Sequence, residues 1–195
     1  MISFLNVRSL YAHHHDVSRD NILMMSDVFC LGETWLHHGS KVHFEGFVDF
    51  HATFGTGKGL STYVRNQFLA DPIVSASEHL SISKLSLFQI DMIFVYVSNK
   101  CKKELLMLKL NQLIDNNKPT VIIGDFNDNY SEECQIAKNL KVLDFNQLIQ
   151  EPTHDKGNTI DHVYVNKLLR NRGIFYEQNP AYYSDHDVIS LYVTK

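Results

Sequence analysis

Val121-Ile122-Ile123-Gly124-Asp125-Phe126-Asn127 is a short apolar run that ends in an acid and an amide two residues apart. The run has the length and β-branched content of a buried strand. Asp125 and Asn127 then stand at its exit, where side chains leave the core and can meet a substrate. The tetrapeptide Gly124-Asp125-Phe126-Asn127 is a weak signal alone, because Asp and Asn also form turns. Two later groups give it weight: Asp161-His162 and Ser184-Asp185-His186 each open a further β-type run.

Other β-type runs cover residues 2–7, 27–31, 60–64, 85–97, 120–123, 159–165 and 187–193. Residues 85–97 are long enough for two strands with a turn near Asp91, and Leu85-Ser86-Leu87-Phe88-Gln89-Ile90 alternates as a half-buried strand does. Helices are expected over 17–25, starting near Asp16, over 102–116 and over 132–140. The second has an apolar set of Leu105, Leu106, Leu108, Leu110 and Leu113, and Asn116-Asn117-Lys118-Pro119 stops it. Strands outnumber helices without alternating with them. The class is therefore α+β, and a sandwich of two sheets with helices outside suits the count.

The polar residues at strand ends form a pattern. Asn6, Glu33 and the Asp125/Asn127 pair each follow an apolar run, whereas Asp161 and Asp185-His186 each precede one. In antiparallel pairs the exit of one strand lies beside the entrance of its partner. All five sites can converge on one rim of the sandwich. Hydrolysing a phosphodiester requires neutralising charge, activating water, stabilising the transition state and assisting the leaving oxygen. Glu33 among Asp and Asn neighbours suits a hard cation such as Mg²⁺ or Mn²⁺. Asp125 can take a proton from water and Asn127 can donate to an oxygen. His186 held by Asp161 can bind or protonate a phosphate oxygen.

The chain's 195 residues suffice for one sizeable domain spanning 1–195. With 44% hydrophobic and 21% charged residues it has the make-up of a globular protein, and no apolar run reaches the roughly 18 residues of a membrane span. Residues 1–10 lack the basic start and long apolar stretch of a secretory signal. Cys30, Cys101 and Cys134 are odd in number and scattered, which points to reduced thiols and an intracellular setting. Cys30 reads as a buried small hydrophobe. A net charge of −4 counts against general nucleic-acid binding but not against an enzyme that carries a cation. His13-His14-His15 suits a loop or helix cap, since three consecutive residues share no single face. Trp35 and the twelve phenylalanines are most simply core, although an aromatic near the site could pack on an unstacked sugar or base.

In this order the motifs resemble those of the endonuclease/exonuclease/phosphatase family. They are Asn6, Gly32-Glu33-Thr34-Trp35, Tyr96-Val97-Ser98-Asn99, Gly124-Asp125-Phe126-Asn127, Thr159-Ile160-Asp161-His162 and Ser184-Asp185-His186. The segments Asn6–Leu10, Glu33-Thr34-Trp35-Leu36, Gly59–Arg65 and Pro152-Thr153-His154 through Asp161 are most similar to abasic-endonuclease-like domains of non-LTR retrotransposons. The resemblance implies a DNase I-like, four-layer α/β sandwich with two mainly antiparallel sheets. It implies Glu33 as the main ligand of Mg²⁺, or of Mn²⁺ as a substitute, with Asn6 close by and Asp185 as a helper. Tyr96 and Asn99 would contact phosphate, with Arg8, Thr159 and Ser184 lining the substrate. Asp125 would activate water, Asn127 would stabilise the transition state, and Asp161 would hold His186 against the scissile phosphate. Arg8 stands where many abasic endonucleases carry an acid.

The implied activity is nicking of DNA to leave 3′-hydroxyl and 5′-phosphate ends. The implied setting is nuclear, with DNA and a reverse transcriptase or other mobile-element domain as partners and the chain itself a monomer. Two alternatives stay open. One is a phosphatase or phosphodiesterase of the same fold acting on a small molecule, lipid or RNA. The other is a non-catalytic DNA-binding relic.

Overall fold

A computed structural model describes residues 1–54 and 58–194. The chain runs through β1 (Ile2–Asn6), α1 (Leu10–Val17), α2 (Asn21–Met25), β2 (Val28–Gly32), β3 (Phe47–Thr53), β4 (Gly59–Arg65), β5 (Ile73–Ala76) and β6 (Leu80–Leu87). It continues through β7 (Ile90–Val97), α3 (Lys103–Leu113), β8 (Thr120–Asp125), α4 (Gln135–Val142), β9 (Phe145–Gln147), β10 (Asp161–Asn166), α5 (Lys167–Arg170), β11 (Ile174–Pro180) and β12 (Asp187–Val193). Two six-stranded sheets result, in the orders β11-β12-β1-β2-β4-β3 and β5-β6-β7-β8-β10-β9. Each sheet is antiparallel except for one parallel pair near its centre, β1 with β2 in the first and β7 with β8 in the second.

Alternation of side chains along the central strands makes the layers. Val121 and Ile123 face the opposite sheet and meet Phe4, Val28, Cys30 and Val163. Ile122, between them, faces outward to Leu106 and Leu110 of α3 and Ile136 and Leu140 of α4. On the other side Leu5, Phe29 and Leu31 pack beneath Leu10 and Val17 of α1 and Leu23 of α2. Strands covered on both faces read as unbroken apolar runs. The order is helix, sheet, sheet, helix, which is the expected four-layer α/β sandwich. Cys30 is fully buried, and burial pushes its thiol pKa far up, so it stays an apolar filler. Among the described residues no helix is long and apolar enough to cross a membrane.

Gly124 shows why the opening motif needs glycine. It pairs with Val95 of β7, and a Cβ built there would lie 1.9 Å from the Val95 carbonyl oxygen. The obstacle is backbone and cannot turn aside. Gly124→Ala is expected to lower unfolding stability by about 3 kcal/mol or more, readable as a lower urea midpoint.

Several expectations about elements need correction. Of the helix expected over 17–25 only α2, Asn21–Met25, forms, and α1 ends at Val17. Asp20 caps α2, its Oδ1 accepting from the Ile22 and Leu23 amides at 2.9 and 3.2 Å, and this breaks the run. His13, His14 and His15 lie inside α1, whose N-cap is Ser9. His14 stacks on Phe44 at 5.1 Å, and the two later histidines sit in the last turn, where the helix dipole favours positive charge. The turn after β6 falls at Phe88-Gln89, both at positive φ, and not at Asp91. Asp91 is buried in β7 and pairs with Lys84 at 2.8 Å. In α3 the buried residues are Leu106, Met107 and Leu110, whereas Leu105 and Leu108 face solvent. Strands β3, β5, β9 and β11 lie in stretches not expected to pair.

Candidate active site

Strand directions bring the polar ends together. β1 and β2 leave the first sheet side by side, with Asn6 opposite Gly32, the residue before Glu33. β7 and β8 leave the second sheet the same way, placing Tyr96 opposite Asp125. β10 runs antiparallel to β8 and enters where β8 exits, so Asp161 also lies opposite Asp125. β12 is antiparallel to β1, and His186 immediately precedes it.

Side-chain hydrogen bonds then join the two sheets across the rim. Asn6 Nδ2 donates to Asp125 Oδ2 at 2.8 Å. The Tyr96 hydroxyl donates to Glu33 Oε1 at 3.2 Å. His186 Nδ1 bonds Asp161 Oδ2 at 2.8 Å. One carboxylate or imidazole atom from each of Asp125, Asp161 and His186 can be chosen so that all lie within 4.8 Å of one another. Asn127 closes back on Asp125: its amide N–H donates to Oδ1 at 2.8 Å and its Nδ2 to Oδ2 at 3.2 Å. Asn127 Nδ2 also reaches the Val97 carbonyl at 2.9 Å, tying the loop to β7.

The backbone is strained at this rim. Of eight described non-glycine residues at positive φ, Arg8, Ser9, Glu33, Trp35 and Asn127 belong to it. Each such conformation costs about 1–3 kcal/mol and persists where surrounding structure enforces it, a feature typical of functional sites.

The electrostatics follow from crowding. Asp125 is almost wholly buried and faces Asp161, so its carboxyl titrates well above the usual range, although His186, Asn127 and Asn6 oppose the rise. Burial works against charge on His186, but Asp161, then Asp125 and Asp185, outweigh it and raise its pKa to about 9. The imidazole is therefore cationic at neutral pH. Burial, with Glu33 and Asp125 nearby, pushes the Tyr96 phenol up and keeps it protonated.

The remaining expected residues divide. Arg8 reaches the rim, and its Nη1 pairs with Asp185 Oδ2. Burial disfavours the Asp185 carboxylate, but His186 and Arg8 outweigh it and hold the carboxyl below the usual range. The Ser184 hydroxyl donates to the Asn6 carbonyl at 2.6 Å and accepts from the His186 amide at 3.1 Å. Both bonds fix backbone. Thr159 likewise donates to the Glu151 carbonyl at 2.9 Å. Asn99 sits in the exposed turn after β7, apart from the bonded network.

Two residues had no assigned role in the sequence. Thr153 Oγ1 donates to Asp161 Oδ2 at 2.8 Å and accepts from the Asp161 amide at 3.0 Å, so it orients the carboxylate that holds His186. His154 places Nε2 3.4 Å from Asp185 Oδ2 and meets the His186 ring edge-on at 4.7 Å. The only signal was their place in the segment leading to Asp161.

His162, next to Asp161, does a different job. Its Nε2 donates to the carbonyls of Asp128 and Thr159 at 2.9 and 3.1 Å, and its Nδ1 accepts from the Tyr164 hydroxyl at 3.1 Å. Burial lowers its pKa to about 4, so the ring stays neutral. The unfolded chain takes up a proton near pH 6.5 and the folded one does not until about pH 4. Stability present above about pH 6.5 is therefore lost as pH falls through that window. His162→Phe is expected to lower stability at neutral pH but to flatten its acid dependence between about pH 6.5 and pH 4, measured by urea unfolding across pH.

The donor set fits a hard divalent cation. Among the described residues Glu33 takes one side-chain hydrogen bond, from Tyr96, which leaves its second oxygen free. Asp185 Oδ1 is buried without a hydrogen bond, with His186 Nε2 at 3.9 Å, while its Oδ2 is taken by Arg8. Carboxylate oxygens of this kind suit Mg²⁺ or Mn²⁺.

A two-sheet sandwich with carboxylates, an asparagine pair and a carboxylate-held histidine on one rim is the architecture of a phosphate-ester hydrolase. Residues 3–186 match the model of the endonuclease/exonuclease/phosphatase family, and the chain belongs to that family. Its members are hydrolytic nucleases or phosphatases. Similar solved structures include the endonuclease domain of TRAS1, a telomere-specific non-LTR retrotransposon, with a TM-score of 0.75 at 14% identity over 99% of this chain and 97% of that one. An AP endonuclease from Archaeoglobus fulgidus superposes with a TM-score of 0.76 at 19% identity over 98% of each chain. The 3′-5′ exonuclease NExo from Neisseria meningitidis gives 0.77 at 17% identity over 100% of this chain and 99% of that one. At such identities the likeness is one of fold. A sequence search of curated proteins finds no match.

Proposed function

We propose that the chain is a Mg²⁺-dependent DNA endonuclease of mobile-element origin that nicks one strand and leaves 3′-hydroxyl and 5′-phosphate ends. The observation that carries this is the set of bonds across the rim, Asn6 to Asp125, Tyr96 to Glu33 and His186 to Asp161. The similar structures, an AP endonuclease and a retrotransposon endonuclease domain, support DNA as substrate. Glu33, with Asn6 beside it and Asp185 as a helper, would hold the cation. A cation held there would supply charge neutralisation at the phosphate and at the leaving oxygen.

The chain's own groups supply the rest. Asp125 takes a proton from the attacking water, and its raised pKa suits a base working near neutrality. Asn127 holds that carboxylate through Oδ1. The cationic His186 ring presents Nε2 to a phosphate oxygen while Asp161, steadied by Thr153, fixes Nδ1. Tyr96 and Asn99 contact flanking phosphate oxygens, and Arg8 pairs with phosphate when substrate displaces Asp185.

The test is conversion of supercoiled plasmid to the nicked form with Mg²⁺, beside a chelator control and the Asp125→Ala variant, followed by end analysis. Nicking that survives the chelator or the variant overturns the mechanism. A net charge of −4 favours a second reading, hydrolysis of a small phosphate ester. Turnover of an inositol phosphate with no cleavage of DNA would replace the first reading with the second.

A further inference from the structure

Beside the catalytic rim lies an open cleft of about 510 Å³, lined by Arg8, His13, Trp35, Tyr182, Tyr183 and Asp185 among others. It is continuous with the site, because Asp185 belongs to both and Ser184 in its wall holds the Asn6 and His186 backbones. Its surface is aromatic. Trp35 is 41% exposed and Tyr182 is 80% exposed, so two large rings face water where burial would be favourable.

The backbone that carries Trp35 and the hydroxyl of Tyr182 are both held in place. Trp35 sits at φ 54°, a conformation rare for a bulky residue. The chain just before it is pinned: the Ser9 and Leu10 amides donate to the Glu33 and Thr34 carbonyls, each at 2.9 Å. The Tyr182 hydroxyl donates to Asp16 at 3.1 Å, and the Tyr183 hydroxyl to Asp20 at 2.7 Å. Tyr182 and Tyr183 meet edge-on at 5.0 Å, and His13 tilts against Tyr183 at 5.8 Å. The hydroxyls are anchored at the helix side, while the Tyr182 ring stays open to solvent.

We propose that this cleft is a stacking subsite for an unpaired nucleobase next to the phosphate at His186, with Trp35 and Tyr182 as its platforms. The proposal rests on the nuclease reading of the same site. Flat apolar rings held in fixed orientation give a base a stacking partner without ordering cost on the protein side, and stacking tolerates any base identity. A base can reach the cleft only from a single strand or after leaving its duplex, which is cheapest at a mismatch or a gap. The enzyme would therefore prefer DNA with an unpaired base beside the cut over a fully paired duplex.

Trp35 is the only tryptophan of the chain, so its fluorescence reports on this cleft alone. The experiment titrates wild-type protein in Ca²⁺ with three fluorescein-labelled probes: a single strand, a paired duplex, and the same duplex with one unpaired base. Anisotropy gives affinity, and tryptophan emission gives contact. The single strand and the duplex with an unpaired base should quench Trp35, and the paired duplex should not. Trp35→Ala and Tyr182→Ala should weaken binding of the unpaired-base probes about tenfold, and Trp35→Phe should restore most of it. Circular dichroism confirms that these surface variants fold.

Binding without quenching, or unchanged affinity in both alanine variants, overturns the subsite. So does failure of the wild type to bind any probe. Plasmid nicking in Mg²⁺ is scored in parallel. Nicking without quenching removes the subsite and leaves the nuclease, while quenching without nicking removes the nuclease and leaves the subsite.

Discussion

Asp125→Asn is expected to lower kcat/KM for DNA cleavage by about a thousandfold, with the protein still folded. The substitution keeps the shape of the side chain and removes its capacity to take a proton. The loss should fall on kcat, because Asp125 is buried behind Asn6 and Asn127 and its proposed role is proton transfer, not binding of DNA. A second readout separates this from collapse of the site. In the wild type the Asp125 carboxyl titrates above the usual range because of burial and Asp161. The folded state therefore keeps a proton that the unfolded chain has released, and stability falls as pH rises through that raised pKa. The asparagine variant has no such group. Its stability relative to wild type should improve as pH rises from about 4 to about 8 in urea unfolding. Unimpaired cleavage would remove Asp125 as the base.

The second large effect is expected for Asp161→Asn. Asp161 Oδ2 accepts from Thr153 and His186, while Oδ1 is buried without a partner. An asparagine can keep its oxygen toward both donors and turn its amide to the empty side. Geometry is then largely preserved and charge is lost. Burial alone lowers the His186 pKa, and Asp161 is the strongest influence raising it to about 9. Without that carboxylate the imidazole should titrate well below about pH 9, seen directly by NMR of the ring. At neutral pH it would no longer carry the charge that meets the phosphate, and cleavage should fall about a hundredfold or more. The pH dependence of stability has the same sign as for Asp125. Wild-type His186 contributes stability that is complete below about pH 6.5 and lost as pH rises through about 9, and the variant lacks that contribution. A ring pKa unchanged from wild type would place the source of the charge elsewhere.

The sequence made the two-sheet architecture and the convergence of strand ends legible because each central strand is covered on both faces and ends in a polar residue. The reason for the convergence was only partly visible. Two parallel pairs, β1/β2 and β7/β8, deliver their ends to the same rim, and parallel pairing leaves no local trace in a chain. Edge strands escaped for another reason. β11 alternates half-buried and exposed residues and ends in Pro180, where the ladder needs no further donor. Its Glu177, Gln178 and Asn179 mask the alternation. Thr153 was illegible as a positioning group because it acts on Asp161 from eight residues away through a loop. Trp35 was expected in the core and stands in solvent, since local composition says nothing about which wall of a strand end a ring will face.

The interleaving of the sheets has a consequence for when activity can first appear. β5 to β10 form the second sheet as one unbroken stretch of chain, whereas the first sheet takes β1 to β4 from before it and β11 and β12 from after it. β12 must slide in beside β1 before His186 can reach Asp161. A nascent chain emerging from the ribosome thus carries Asn6, Glu33 and Asp125 long before it carries a working centre. The rim is complete only once the first and twelfth strands lie side by side and His186 meets Asp161.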